Sequence, residues 1–513
     1  MKRRWIVIGS LLAVWGLLLG AYATTVDAAK ENDTLVVAFE RTLLTMDFYR
    51  STDRAVIVLA HNWADNLVVR DPETGDFLPH LATSWEWIEP TTLYMTLREG
   101  VTFHNGEPFN ADAVIATFNY ALDPTEPRPG ASQISWVQEV EKIDDYTILI
   151  RAKEPTPHAL ETLATSAPIY PPQYLAEVGS EGFSKHPIGT GPYRLVRWDD
   201  NEHVFERNED YFVGSQAKPA IKNLIVRIYP EESSRIAALL AGEAQIARAG
   251  SLSLDQLPTL ESAPGVRPET VPILRVWFLQ MDAPGRSGVD VFTDRRVRQA
   301  VNYAIDRQEI IDGLLLGYGE VIHAPCNPLQ FGCDPDAAVK YEYNPEKARE
   351  LLREAGYPNG FTVELWAYRD QLMAQAIQGY LEDVGIQTEL RWFAGQYDVA
   401  SQHFAAGEVP FWFGAWGSYS IFDASASLDV YFGRDGTFTY GTTPEVEELL
   451  AFARSTNDPE ERKSAYREAI RIITEEAYWV PLFSGSVLAG VSESVDWKPS
   501  PDEIERYFYA KWK

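Results

Sequence analysis

Segments with a strand-like pattern alternate with segments with a helix-like pattern along nearly the whole chain, and this alternation constrains the fold more than any single motif does. The strand candidates are short, rich in β-branched and aromatic residues, and bounded by turn formers; they are 34–40, 92–98, 146–152, 224–229, 273–282, 362–368 and 387–393. Between them, apolar residues recur every three or four positions, as they do on one face of a helix. The pattern predicts an α/β protein, and a chain of 513 residues is long enough for more than one lobe.

Several of the helical patterns have explicit start signals. Residues that favour the N-cap position stand directly before such patterns, namely Asn110, Asn344 and Asp458. The segment 292–317 also reads as a helix, because one face of it carries Val297, Val301, Ala304 and Ile305. We therefore expect helices at these places.

The charge balance narrows the set of partners. The chain carries a formal net charge of -29 at pH 7, with 23% charged residues. Such a chain repels nucleic acids and anionic lipids, so neither is expected as a partner. The charge is compatible with an exported protein and with cationic or zwitterionic ligands.

The N-terminus has the pattern of a secretory signal peptide. Basic residues at 2–4 precede an uncharged apolar run over 5–20, and 21–23 has the small-x-small form of a cleavage site. We expect 1–23 to be a signal peptide. The alternative is an uncleaved anchor, although the run is near the short end for spanning a bilayer, and no later segment has about 18 uninterrupted apolar residues.

The chain has two cysteines, Cys326 and Cys333, in one proline-containing loop. In an exported protein, two cysteines seven positions apart predict one local disulfide. His323 and Asp334 lie nearby, but one histidine and two cysteines make a weak metal site. We expect the disulfide, and neither a metal nor a cofactor.

A glycine-rich stretch, GTGPY at 189–193, raises the question of a phosphate-binding loop. Such a loop needs its glycines to open a helix, whose free N–H groups then meet the anion. Here the glycines precede a strand that is predicted over 193–198. A second strand is predicted over 203–208, and the two are expected to pair as a hairpin. The stretch is therefore predicted to be a tight chain crossing between lobes, with glycine supplying a positive φ and proline removing a donor.

Five blocks of the sequence form a recognisable set. They are LREGVTFHNG within 67–114, HPIGTGPYRLVRW within 186–211, TDRRVRQAVNYAIDR within 293–311, YNPEKARELLREAG within 343–361, and DPEERKSAYREAI within 458–483. In this order they resemble the solute-binding proteins of ABC importers that take up peptides, nickel and some oligosaccharides. The chain is similar to bacterial extracellular solute-binding proteins of family 5, the dipeptide- and oligopeptide-binding type, over nearly everything after the signal peptide.

This resemblance implies a periplasmic-binding-protein-like fold of type II, cluster C, in which two chain crossings join two α/β lobes and the first lobe carries an extra inserted domain. Carried onto this chain, lobe I would comprise 30–65, 187–272 and 482–513, the inserted domain 66–186, and lobe II 273–481. Such proteins work by population shift, because a ligand that contacts both lobes stabilises the closed form that the permease recognises.

The resemblance also points to ligand-binding positions. Trp416 matches a tryptophan that relatives follow with an acidic pair, one aspartate of which binds a peptide α-ammonium group, since a buried cation needs a carboxylate. Here the expected acidic position is Tyr419, and the next carboxylate is Asp423. Asp423 either clamps the ammonium in a shifted register or only caps the following helix. Trp277 and Gln280, on the strand entering lobe II, match positions that line the cleft, with core packing as the alternative for Trp277.

These patterns predict a binding function and no enzyme, since the sequence has no HExxH, no GxSxG and no cysteine nucleophile with a fitting histidine. The expected role is that of a monomeric, extracytoplasmic solute-binding protein that delivers a short peptide or peptide-like solute to the membrane permease of an ABC importer. Two alternatives stay open. One is the same transport role with an oligosaccharide or another organic solute, which Tyr419 and the dense aromatic residues favour. The other is ligand sensing or chaperoning without transport. A nickel role has no histidine pair to support it.

Overall fold

The computed structural model describes residues 25–513, apart from 72–73, 127, 213, 395, 418–419, 435 and 437. The expected signal peptide 1–23 and the candidate ligand residue Tyr419 therefore lie outside the described residues. Among the residues that are described, no helix is long and apolar enough to cross a membrane.

The strands confirm the sequence pattern. In chain order they are β1 (Thr34–Phe39), β2 (Val68–Arg70), β3 (Phe77–Pro79), β4 (Ala82–Glu89), β5 (Thr92–Leu97), β6 (Val137–Asp144), β7 (Thr147–Ala152), β8 (Tyr193–Trp198), β9 (Glu202–Arg207), β10 (Asn223–Ile228), β11 (Ile246–Leu252), β12 (Val266–Met281), β13 (Gly319–Val321), β14 (Phe361–Ala367), β15 (Ile386–Trp392), β16 (Phe411–Trp416), β17 (Trp479–Ser492), β18 (Val495–Asp496) and β19 (Lys511–Trp512). Every strand expected from the sequence is present, and β12 begins earlier than predicted, at Val266.

The helices cover the segments between the strands. In chain order they are α1 (25–31), α2 (Arg54–Trp63), α3 (Ala111–Ala121), α4 (Ala159–Thr165), α5 (Pro172–Lys185), α6 (Glu232–Leu240), α7 (Leu257–Ser262), α8 (Arg295–Ala304), α9 (Arg307–Leu314), α10 (Pro345–Glu354), α11 (Gln371–Asp383), α12 (Tyr397–Ala405), α13 (Ser425–Phe432), α14 (Pro444–Ser455) and α15 (Pro459–Glu475). The predicted N-caps are confirmed, because the side chains of Asn110, Asn344 and Asp458 accept backbone N–H bonds at the starts of α3, α10 and α15.

The helix expected over 292–317 is wrong as a single element. α8 ends at Ala304, and Ile305 is extended, with φ -102 and ψ 120. Asp306 then starts α9 by accepting a hydrogen bond from the Glu309 N–H at 3.0 Å. Aspartate is a preferred N-cap residue, so the apolar repeat contains a second start signal that divides it.

The chain forms two compact units. Unit 1 contains the described residues up to Glu154, Ala159–Val271 and Val487–Lys513, and unit 2 contains Pro155–His158 and Pro272–Ser486. The chain passes from unit 1 to unit 2 within β12 and returns within β17. This division does not separate 66–186 from the rest of unit 1, so the three-part division expected from the resemblance stays a prediction.

Unit 1 is organised by a mixed sheet with the strand order β11-β1-β10-β9-β8, and the end of β17 pairs with β11. β1 runs parallel to both β10 and β11. Its residues are buried on both faces, as is usual for parallel strands that helices cover. β9 is antiparallel to both β10 and β8. A separate antiparallel sheet has the order β4-β5-β7-β6.

Unit 2 contains strands in the order β15-β14-β16-β12. β14 runs parallel to β15 and β16, whereas β12 runs antiparallel to β16. The two faces carry different hydrophobic cores: Phe278 and Trp412 belong to one, and Leu279 and Phe413 belong to the other. Because side chains alternate along a strand, successive residues of β12 and β16 enter different cores.

The glycines of GTGPY are required for a reason that the sequence pattern does not reveal. The hairpin of β8 and β9 is confirmed, with Tyr193 opposite Arg207. Neither Gly189 nor Gly191 has a positive φ, so the conformational reason given above is wrong. A Cβ on either glycine would lie 2.3 Å from a backbone atom of Trp63. The two glycines are therefore needed for a close backbone approach to the end of α2.

Gly191→Ala is expected to destabilise the protein by about 1–3 kcal/mol, because its methyl group would overlap the backbone at Trp63. Gly379→Ala in α11 is the matched control, since a Cβ there meets nothing within 4 Å and alanine is the better helix former by about 1 kcal/mol. Urea unfolding of both variants measures the difference. Equal stability of Gly191→Ala and the unsubstituted protein would contradict the close approach.

Candidate functional site

The carboxyl ends of β14 and β16 lie at one edge of the unit 2 sheet, because these strands are parallel and paired, with Ala367 opposite Phe413. β12 runs the other way and brings Trp277 to the same edge, opposite Ala415. We call Trp277, the residues 368–370 that follow β14, and Gly417 after β16 the carboxyl edge. In open α/β sheets, ligands bind outside the carboxyl ends of the strands, so the carboxyl edge is the candidate functional site.

Trp277 lies at the carboxyl edge with most of its ring packed against protein. Only 7% of the residue is exposed, and its ring stacks on Phe483 with 5.3 Å between the ring centroids. Its indole Nε1 donates a hydrogen bond to Asp370 Oδ2 at 2.8 Å. Core packing, the alternative interpretation of Trp277, is therefore observed. Contact of Trp277 with a ligand stays a prediction.

Gln280 lies further from the carboxyl edge than Trp277 does, and on the opposite face of the sheet. It stands opposite Trp412, about 10 Å along the strand from Trp277, and the odd spacing turns its side chain to the other face. Its Nε2 donates to the carbonyl of Phe438 at 2.8 Å, whereas its buried Oε1 has no hydrogen-bond partner among the residues that the structure describes. The structure therefore does not bring Trp277 and Gln280 to one surface.

Trp416 is the last residue of β16 and contacts the next helix. Its indole Nε1 donates to the carbonyl of Ala426 at 2.6 Å, and its ring meets that of Tyr431 edge to face, with 5.5 Å between the centroids. Both partners belong to α13. Trp416 thus links the end of β16 to α13.

Asp423 has partners inside the protein for both of its carboxylate oxygens. Oδ2 accepts a hydrogen bond from Arg462 Nη2 at 2.7 Å, and Oδ1 accepts from the Ser425 N–H at 3.0 Å and from the Tyr466 hydroxyl at 3.3 Å. Burial is the largest influence on the pKa of Arg462 and lowers it, but Asp423 and Tyr466 together outweigh burial and raise that pKa. The contact with Ser425 fits the capping alternative. The ammonium-binding role stays a prediction, and a ligand cation would have to compete with Arg462.

The structure joins Cys326 and Cys333 by a disulfide. The loop between them is hydrogen-bonded to the segment 421–424: Phe331 exchanges two backbone bonds with it, and the Gln330 amide donates to two of its carbonyls. The disulfide loop therefore fixes the segment that precedes α13. Within the described residues, no group of three or more histidine, cysteine, aspartate or glutamate side chains could hold a metal ion.

Arg369 and Asp370, which follow Tyr368 after the end of β14, are not among the site residues predicted from the sequence. Arg369 Nε donates to Asp370 Oδ2 at 2.8 Å, and its Cζ lies 5.4 Å from the ring centroid of Trp277. Burial is the largest influence on the pKa of Arg369 and lowers it, but the contacts with Asp370 and Tyr368 together outweigh burial and raise the pKa, so the guanidinium is charged. Their position in the sequence could have indicated a role in binding. An Arg-Asp pair that follows a parallel strand lies near the carboxyl end of that strand, and ligands bind outside the carboxyl ends of such strands.

Comparison with known proteins shows where the chain belongs. The family model of the "Bacterial extracellular solute-binding proteins, family 5 Middle" matches residues 76–439. The glutathione-binding protein GsiB of Shigella dysenteriae serotype 1 (strain Sd197) is 29% identical over 507 residues, which cover 94% of this chain and 94% of that protein.

Solved structures show the same fold. The ABC transporter-associated periplasmic binding protein DppA from Helicobacter pylori, in complex with the peptide STSA, has a TM-score of 0.77 and 25% identity, and the match covers 94% of this chain and 99% of that chain. The dipeptide binding protein from Pseudoalteromonas sp. SM9913, in complex with Met-Leu, has a TM-score of 0.77 and 23% identity, and the match covers 94% and 100%. At that lower identity, the second likeness concerns the fold alone.

The chain belongs to the bacterial extracellular solute-binding proteins of family 5. Its role is that of the solute-binding protein of an ABC importer, and the relatives that it matches are named as binding proteins. The α/β fold of the periplasmic binding proteins that the sequence predicts is thereby confirmed.

The partners of Asp423 allow its two interpretations to be separated. Asp423→Asn is expected to lower the free energy of unfolding by about 3–5 kcal/mol, because it leaves the Arg462 guanidinium buried without a counter-charge. Arg462→Met should have a similar effect for the converse reason. The double variant should lose less than the sum of the two, since no charge is then left unpaired. Urea unfolding measures all three.

Ligand affinity provides the second readout for the same variants. If Asp423 serves the fold, calorimetry on the folded variants should find peptide affinity within about threefold of the unsubstituted protein, because an internal pair makes no ligand contact. An ammonium-binding role requires a different result: Asp423→Asn weakens binding strongly, and Arg462→Met does not.

Proposed function

We propose that the protein captures short peptides or peptide-like solutes by their free carboxylate and delivers them to the permease of an ABC importer. It acts outside the cytoplasm, after export by the signal peptide 1–23, and it acts as a monomer. It binds and releases the solute without changing it chemically, and it needs neither a metal nor a cofactor.

The ligands named for similar proteins support a peptide-like solute. GsiB is named for glutathione, and the DppA structure contains the peptide STSA. Both ligands are peptides with a free carboxylate. This group is also the one that an unmodified peptide of any sequence carries at its C-terminus.

The observation that carries the proposal is the position of Arg369 at the carboxyl edge. A guanidinium presents paired N–H donors that match the two oxygens of a carboxylate. The bond to Asp370 uses Nε, and the groups at Nη1 and Nη2 carry further donors. A neutral oligosaccharide has no group that needs this cation, so Arg369 favours a peptide over the sugar alternative.

The overall charge of the chain makes such a local cation necessary. A formal net charge of -29 repels an anionic group that approaches from solution, although salt screens this repulsion beyond about 8–10 Å. A solute carboxylate therefore needs a positive charge at contact distance. Arg369 supplies this charge, and 28% of its side chain is exposed.

Calorimetry with Met-Leu and Met-Leu amide tests the proposal, because the two peptides differ only at the carboxylate. The free acid is expected to bind tighter than the amide by about 2 kcal/mol or more, which is about 30-fold, since the amide leaves the cation without its partner. Arg369→Gln should remove this preference by weakening binding of the acid.

Arg391→Gln is the matched control for this substitution. Arg391 lies in β15, is also partly exposed, and its Cζ lies 3.9 Å from the ring centroid of Trp366, but Trp366 and Trp277 belong to different cores, so Arg391 lies on the opposite face of the sheet from Trp277. Its replacement should leave the affinity for the acid within about twofold. Equal binding of the acid and the amide by the unsubstituted protein would contradict the proposal.

A further inference from the structure

Asp370 adopts a backbone conformation that is unfavourable for a residue with a side chain. It has φ 55 and ψ 54, in the left-handed region, and it stands at the N-cap of α11 without making a side-chain capping bond. Aspartate at an N-cap normally accepts a backbone N–H and stabilises the helix. Asp370 therefore combines a strained backbone with an unused capping capacity, and strained residues of this kind cluster at functional sites.

The Asp370 carboxylate instead holds two side chains at once. Its Oδ2 accepts a hydrogen bond from Trp277 Nε1 and another from Arg369 Nε, each at 2.8 Å. Because both donors meet one oxygen, the positions of the indole and the guanidinium are coupled. Trp277 is itself fixed by stacking on Phe483, with 24° between the ring planes. A continuous set of contacts thus runs from the core of unit 2 to Arg369.

Stability alone does not account for this arrangement. Arg369 and Asp370 are sequence neighbours with 28% and 33% of their side chains exposed, and a partly exposed ion pair contributes little to the free energy of unfolding. A glycine would adopt the left-handed conformation without strain. The carboxylate at this position is better explained by its effect on Arg369, whose long side chain otherwise samples many rotamers.

We propose that Asp370 is a positioning residue for solute recognition, which anchors the Arg369 guanidinium to Trp277 so that its remaining N–H donors face the carboxylate of the bound solute. This inference rests on the proposed function, in which Arg369 binds that carboxylate. It adds that the preference for a free carboxylate depends on Asp370, which does not itself contact the solute. The preordered guanidinium loses less freedom on binding than a mobile one does.

The test is the preference ratio, defined as the dissociation constant for Met-Leu amide divided by that for Met-Leu. Asp370→Gly is compatible with the left-handed backbone conformation but removes the carboxylate. We expect the ratio to fall by about tenfold or more, because the Arg369 guanidinium is then no longer held in position to bind the solute carboxylate. Asp370→Asn keeps an oxygen acceptor and tolerates the left-handed conformation. It should keep the ratio within about threefold.

The thermal unfolding midpoint separates positioning from a structural role. Asp370→Gly should leave the midpoint unchanged or raise it, because glycine relieves the strain. A lower midpoint together with an unchanged ratio would overturn the inference. Trp277→Phe is a second variant that removes the indole donor and keeps a smaller aromatic ring, and we expect it to lower the ratio by about threefold or more. An unchanged ratio in that variant would also count against the inference.

Arg369→Gln distinguishes failure of this inference from failure of the proposed function. If Arg369→Gln abolishes the preference while Asp370→Gly keeps it, Arg369 binds the carboxylate without help from Asp370, and only the inference is wrong. If Arg369→Gln keeps the preference, the carboxylate binds elsewhere, and both the inference and the proposed role of Arg369 are wrong.

Discussion

The direction and register of three neighbouring strands, β14, β16 and β12, decide which side chains unit 2 presents at its carboxyl edge. The parallel pairing of β14 with β16 brings their ends together, and the antiparallel pairing of β12 adds Trp277 at the same level. The two-residue period of a strand then sends Trp277 and Gln280 to opposite faces. Arg369 and Asp370 lie beyond the end of β14, and the side chains of both are partly exposed.

Unit 2 uses its aspartates for different physical tasks. Asp423 is buried at 3% exposure, and Arg462, Ser425 and Tyr466 occupy its oxygens, as expected for a charge that must be compensated inside a protein. Asp370 is at the surface and orders a cation that is itself partly exposed. A buried pair fixes the loop that precedes α13, whereas an exposed pair at the strand ends is accessible to a solute. The location of each charge therefore indicates its task more clearly than its residue type does.

The fold was largely predictable, and the site was predictable only in part. Strand composition and cap residues depend on local sequence, so β14 and the Asn344 cap are where the sequence places them. The partner of Asp423 lies 39 positions away, and no local pattern indicates such a distant pair. The need for Gly191 arises from a close approach to Trp63, which is also distant in sequence. Asp370 was missed because its strained conformation appears only in the backbone angles.

The claim that solute meets unit 2 at the carboxyl edge is tested most directly by the indole N–H signal of Trp277 in nuclear magnetic resonance. The chain has 15 tryptophans, and Trp277→Phe assigns this signal by its loss. Because Trp277 Nε1 is bonded to Asp370, addition of Met-Leu should shift its resonance, while that of Trp497, buried in unit 1 and bonded to the Arg506 carbonyl, should stay in place. An unshifted Trp277 signal at saturating Met-Leu, with binding established by calorimetry, would contradict the account.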